Sequence, residues 1–99
     1  MAPAFAFRLV DSVVVKGRRR AELVYELLGL HDEIGDAAPY RQYERAFRRY
    51  QERDWPGALR LLEGLGDDGP ALTLGARCRE FIDAPPPAAW DGAYRPTQK

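Results

Sequence analysis

The sequence predicts an α+β chain: an N-terminal β-hairpin, then a three-helix unit and an irregular proline-rich tail. Three observations carry that expectation. β-Branched and apolar residues concentrate between Phe5 and Leu30, on either side of Gly17-Arg18-Arg19-Arg20. From Tyr40 to Ile82, aromatic and aliphatic residues recur at spacings of three and four. Pro85-Pro86-Pro87 then stops any helix.

Residues 1–30 form the hairpin region. Val13-Val14-Val15 and Leu23-Val24-Tyr25 flank the basic turn. Phe5, Phe7 and Leu9 alternate, as do Leu23, Tyr25 and Leu27, so this set is expected to be the buried face of the sheet. An isolated hairpin is marginal in water and must pack against the rest of the chain or a partner.

Residues 31–38, with Gly35 and three acids, read as a linker, and 39–84 as the helical unit. Pro39 suits a first turn, and Tyr40, Tyr43, Phe47 and Tyr50 make one stripe of a helix running to about Arg53. Glu44 stands four residues before Arg48, a spacing for an ion pair. Asp54 is placed to cap a second helix with Ala58, Leu59, Leu62 and Leu65 inward and Gly66 at its end. Asp67-Asp68-Gly69-Pro70 starts a third, with Leu74, Cys78, Phe81 and Ile82 inward. Such short connections make neighbouring helices antiparallel. Residues 85–99 form the tail, whose Trp90 and Tyr94 are expected to fold back on the helices.

Arg53-Asp54-Trp55-Pro56-Gly57-Ala58 is similar to the Gly-Asp-Tyr-x-x-Ala turn of a tetratricopeptide repeat, with Arg53 in place of the turn glycine. One repeat and a capping helix make a three-helix tetratricopeptide-like unit, whereas a stable array needs about three repeats.

Composition excludes several classes. Fifteen basic and fifteen acidic residues cancel, so no global field draws nucleic acid or an anionic membrane. No stretch approaches the roughly 20 apolar residues of a membrane span. One cysteine, Cys78, cannot form an internal disulfide, and the N-terminus lacks the pattern of a secretion signal; the expectation is cytoplasmic.

The hairpin resembles the end of the catalytic domain of bacterial class III nucleotide cyclases. Those enzymes carry a Leu-Asp-x-Val-x-Val-Lys-Gly-Lys strand leading to a Val-Tyr-Glu strand. Here the order is Phe7-Arg8-Leu9-Val10-Asp11-Ser12-Val13-Val14-Val15-Lys16-Gly17-Arg18, then Val24-Tyr25-Glu26-Leu27-Leu28-Gly29. Cys78-Arg79-Glu80-Phe81 and Pro85-Pro86-Pro87-Ala88-Ala89-Trp90-Asp91-Gly92 are similar to a C-terminal extension of some of these cyclases.

The resemblance implies the C-terminal piece of a membrane-anchored sensor cyclase that makes cyclic AMP from ATP, with this segment at its cytoplasmic end. It also implies that Lys16 reaches the nucleotide triphosphate, where an ammonium neutralises charge growing on phosphate oxygens. The family's metal-holding aspartates, purine-selecting pair and transition-state asparagine and arginine have no matching positions. Two-metal chemistry needs those ligands, so Mg or Mn ions are expected only in the intact parent and the segment itself is read as non-catalytic. Its expected partners are the remainder of the catalytic domain or a second copy of itself, with no nucleic acid and no membrane contact.

Other candidates are weighed against plainer roles. Arg45 and Arg49 offer an interaction surface for a stand-alone helical protein-interaction module, the alternative function. The tyrosines beside them lie on the opposite face and read as core instead of stacking platforms. His31, Asp32, Glu33 and Asp36 offer ligand types without fixed geometry and read as a solvated linker. Cys78, on an apolar stripe, reads as a buried, inert thiol.

Overall fold

Strands β1 (Phe5–Val13) and β2 (Glu22–Leu30) pair antiparallel as a two-stranded sheet in the computed structural model, which describes residues 4–14, 17 and 19–94. The expected tail beyond Tyr94 lies outside the described residues. Pairing slips twice. Leu28 is passed over between the Ala6–Gly29 and Phe7–Leu27 pairs, and Val10 between Leu9–Tyr25 and Asp11–Val24. A one-residue slip reverses which face the following side chains meet. The slip at Val10 therefore lets Arg8 and Asp11, three residues apart, both reach the helices.

Helix α1 (Ala38–Gln51) starts one residue before Pro39, where Asp36 Oδ1 accepts the Ala38 N–H at 3.0 Å. Its predicted stripe is largely the core: Tyr43, Phe47 and Tyr50 are buried with Ala46. The turn after it depends on Arg53, which takes φ +69° at the place where a tetratricopeptide turn carries glycine. That left-handed conformation costs a residue with a Cβ about 1 kcal/mol. Compensation comes from its guanidinium, which donates to the Pro86 and Pro87 carbonyls at 3.0 Å each and lies over the Trp55 ring.

Helix α2 (Trp55–Glu63) is capped as expected: Asp54 Oδ1 accepts the Gly57 N–H at 3.0 Å. A Cβ at Gly57 would overlap the Asp54 carboxylate, so a larger residue there would force the capping side chain to shift. α2 stops at Glu63, before Gly66, which occupies the following turn at φ +58°. Helix α3 (Gly69–Asp83) is capped by Asp68, whose Oδ2 accepts the Ala71 N–H at 3.1 Å. Leu74 and Cys78 face inward, but Ile82 is exposed, contrary to its expected place.

The core lies among the three helices and continues into the tail. Trp90 packs edge-on against Tyr50 and Phe81, with centroids 5.3 and 5.5 Å apart, and its Nε1–H donates to the Ala93 carbonyl at 2.9 Å. Tyr94 then bridges to β1: its N–H donates to Ser12 O at 2.7 Å, and its carbonyl accepts the Val14 N–H at 2.9 Å. The tail aromatics fold back as the sequence predicts.

Candidate functional site

Two arginines join the hairpin to the helices. Arg8, on β1, is only 3% exposed and pairs with Glu26 across the hairpin and with Asp68 at the start of α3, Nη1–Oδ2 2.8 Å. Its guanidinium lies 5.2 Å from the Tyr40 ring centre and 5.0 Å from that of Tyr43. Burial alone would lower its pKa, but the hydrogen bonds to Asp68 and Glu26 outweigh burial, and the net shift is upward. Arg8 is a charged, fully engaged core residue, which is the condition under which a buried cation is tolerated.

Arg77, on α3, grips Asp11 with both prongs, Nη1–Oδ1 2.9 Å and Nη2–Oδ2 3.1 Å. It lies 3.8 Å from the Tyr94 ring centre, and Nη1 approaches Tyr50 Oη at 3.4 Å. Burial again opposes its charge, but hydrogen bonds to Asp11 and Tyr50 prevail and raise its pKa. The pairing is thus reciprocal: a strand cation meets a helix anion at Arg8–Asp68, and a strand anion meets a helix cation at Asp11–Arg77.

Side chains of α1 close the free edge of β1. Glu44 Oε2 accepts the Leu9 N–H at 2.8 Å, Arg41 Nη2 donates to Phe7 O at 2.9 Å, and Tyr43 Oη donates to Val10 O at 2.6 Å. Glu44 therefore faces the hairpin and pairs with Arg41, Nη1–Oε1 2.6 Å; its ion pair is with this residue instead of the expected Arg48.

With Ala6 and Arg8 turned to the helices, the alternating apolar set points away from them except at Leu9, which is partly buried and packs against the helical core as expected. This corrects the expectation of a buried face. Phe5, Phe7, Leu23, Tyr25 and Leu27 are each 50–58% exposed. Alternation along a strand identifies a face but not what covers it. Among the described residues, six of the eight exposed large apolar side chains are on the hairpin, Val24 being the sixth. A gathering of exposed apolar side chains of this kind is uncommon on a small chain.

Lys16 lies outside the described residues. Arg45 and Arg49 come together with Arg48 and Leu61 at one shallow groove between α1 and α2, and Arg49 Nη1 approaches Asp54 Oδ2 at 3.7 Å. In the linker, Glu33 Oε1 accepts the Leu30 N–H at 3.3 Å while Asp36 Oδ1 accepts the Ala38 N–H. No three His, Cys, Asp or Glu side chains converge as metal ligands among the described residues. Cys78 is fully buried, and burial pushes its thiol up to about 11. No helix among the described residues is long and apolar enough to cross a membrane.

The sequence reading missed Arg8, Asp11, Asp68 and Arg77 as the joining residues. One signal was present: Arg8 sits between Phe7 and Leu9 in the otherwise apolar first half of β1, a position that a cation occupies at low cost only when it is paired. Comparison with family models, with curated proteins and with solved structures finds no match for this chain.

Proposed function

We propose that the chain is the non-catalytic C-terminal structural and regulatory segment of a class III nucleotide cyclase, and that its hairpin docks on the remainder of the catalytic domain. The outward apolar face of Phe5, Phe7, Tyr25 and Leu27 carries this reading, because a two-stranded sheet with one face uncovered is an incomplete unit. The resemblance names the unit that completes it. A further support is that its two halves touch: Asp11 lies in the strand similar to the cyclase strand, and Arg77 immediately precedes the Cys78-Arg79-Glu80-Phe81 segment similar to the extension.

In this reading the parent supplies the metal ligands, the Mg or Mn ions and the bound ATP. Lys16 contributes one ammonium to the triphosphate. The helical unit fixes the hairpin through Arg8 and Arg77, so displacement of the helices would be felt at β1, which precedes Lys16 in the sequence.

The test is complementation. A class III catalytic core lacking this segment should gain cyclase activity when the chain is added, and Lys16→Ala should remove that gain. Phe7→Asp should prevent assembly. Absence of rescue by the wild-type chain overturns the reading.

A second reading is a stand-alone helical interaction module, favoured by the groove of Arg45, Arg48 and Arg49 around Leu61. It predicts that charge reversal at Arg45 and Arg49 weakens partner capture. Unchanged capture counts against that surface.

A further inference from the structure

The arginines of this chain differ in whether the fold uses them. Arg8 and Arg77 hold carboxylates between its two halves, Arg41 pairs with Glu44, and Arg53 donates to two carbonyls of the tail. Arg45, Arg48 and Arg60 reach no carboxylate or carbonyl among the described residues, and Arg49 only approaches Asp54, at 3.7 Å. These four gather on one side of the helical unit. Arg45, Arg48 and Arg49 stand three and four residues apart on the exposed side of α1, where like charges repel, and Arg60 of α2 shares a hollow with Arg49.

Two shallow hollows adjoin there. One, of about 350 Å³, lies among Arg45, Arg48, Arg49 and Glu52; the other, of about 380 Å³, lies among Arg49, Arg60 and Asp54. Leu61, partly buried, is in the wall of both. Gln42 Nε2 donates to Leu61 O at 2.6 Å and so ties α1 to α2 at this groove. Of the two carboxylates, Asp54 is engaged by the α2 cap and by Arg49. Four guanidiniums against two carboxylates leave a surplus of positive charge on a chain whose total is zero.

We propose that this groove binds an acidic peptide segment, whose Asp or Glu carboxylates pair with the guanidiniums while an apolar side chain among them covers Leu61; this rests on the interaction-module reading above. Charge complementarity sets the sign of the partner. Every cation in the groove is an arginine, whose planar fork matches a carboxylate with two parallel hydrogen bonds. No aromatic side chain lines either hollow, so nucleic-acid bases would find no surface to stack on. A small inorganic anion offers nothing to Leu61. The groove shares no lining residue with the hairpin, so it can be filled whether or not the hairpin is docked.

Fluorescence anisotropy tests the groove. The full chain is titrated into a labelled Asp-Glu-Asp-Leu-Glu-Asp-Glu peptide at low ionic strength. Binding should saturate and should weaken at physiological salt, because the pairs are exposed. Replacing the peptide's leucine by serine should weaken it about fivefold. Arg45→Glu with Arg48→Glu, and separately Arg60→Glu, are changes at exposed positions that should leave the circular dichroism unchanged and weaken binding about tenfold or more. Arg79→Glu, outside both linings, should leave it unchanged. No binding by the wild-type chain, binding that the arginine variants do not reduce, or equal binding of the serine peptide or of a single-stranded oligonucleotide of the same charge overturns the proposal. The reading beneath it is separable. Partner capture that depends on Arg45 and Arg49 while the peptide fails removes the acidic class and leaves the module; capture indifferent to both arginines removes the module as well.

Discussion

Arg77 holds Asp11 through two parallel hydrogen bonds of 2.9 and 3.1 Å, and so ties the last helix to the first strand across 66 residues of chain. Both side chains are largely buried. Replacing either partner leaves the other charge desolvated and alone, which costs more than the pair itself contributes. Asp11→Asn and Arg77→Gln should each destabilise the fold by about 2–3 kcal/mol. Urea unfolding of both variants and of the double variant should give a coupling energy of about 1 kcal/mol or more. Additive effects would mean that the pair does not join the two halves.

Arg8 poses a test of shape instead of charge. Its planar fork serves Glu26 and Asp68 while lying near two tyrosine rings, and an ammonium can reproduce neither geometry fully. Arg8→Lys should therefore cost about 1–2 kcal/mol despite keeping the charge. A thermal midpoint equal to wild type would contradict the role assigned to the fork.

Alkaline pH should unfold the chain. Burial pushes the Tyr50 phenol from its usual 10.0 up to about 12, and the Cys78 thiol from 9.0 up to about 11. In the folded state both groups stay protonated where the unfolded chain has already lost the protons. Their contribution is full below the unfolded pKa values and is lost as pH rises through the folded ones. Stability should be insensitive to these groups below pH 9 and fall between about pH 9 and 12. Cys78→Ala should remove the lower part of that decline; an unchanged profile would exclude the thiol as a contributor.

The helical half was legible in the sequence because its determinants are local. Asp54 and Asp68 cap helices three residues ahead of the N–H groups they accept, and the spacing of Tyr43, Phe47 and Tyr50 alone marks a stripe. The hairpin was legible as a hairpin, but its orientation was not. Which face turns to the helices depends on Arg8 meeting Glu26 and Asp68, 18 and 60 residues away, and on the slip at Val10. Neither has a signature in strand periodicity. Glu44 shows the same limit: its helical spacing pointed to Arg48, whereas the neighbouring strand offered the Leu9 N–H.

Without a partner, the outward face should pair with its own kind. Phe7 and Leu27 are register partners, and with Tyr25 they present an apolar surface to water. Sedimentation should show concentration-dependent self-association, which Phe7→Glu with Leu27→Glu should abolish without loss of helical signal. A strictly monomeric wild-type chain at high concentration would contradict this exposure.

We propose that the hairpin completes a cyclase catalytic domain. The most direct measurement is cyclic AMP formation from ATP by a class III core lacking this segment, titrated with the chain in the presence of Mg or Mn ions. Activity that rises to saturation with wild type, fails with Lys16→Ala, and fails with Phe7→Asp for want of assembly is the predicted result. A core that stays inactive at every concentration of the wild-type chain would contradict it.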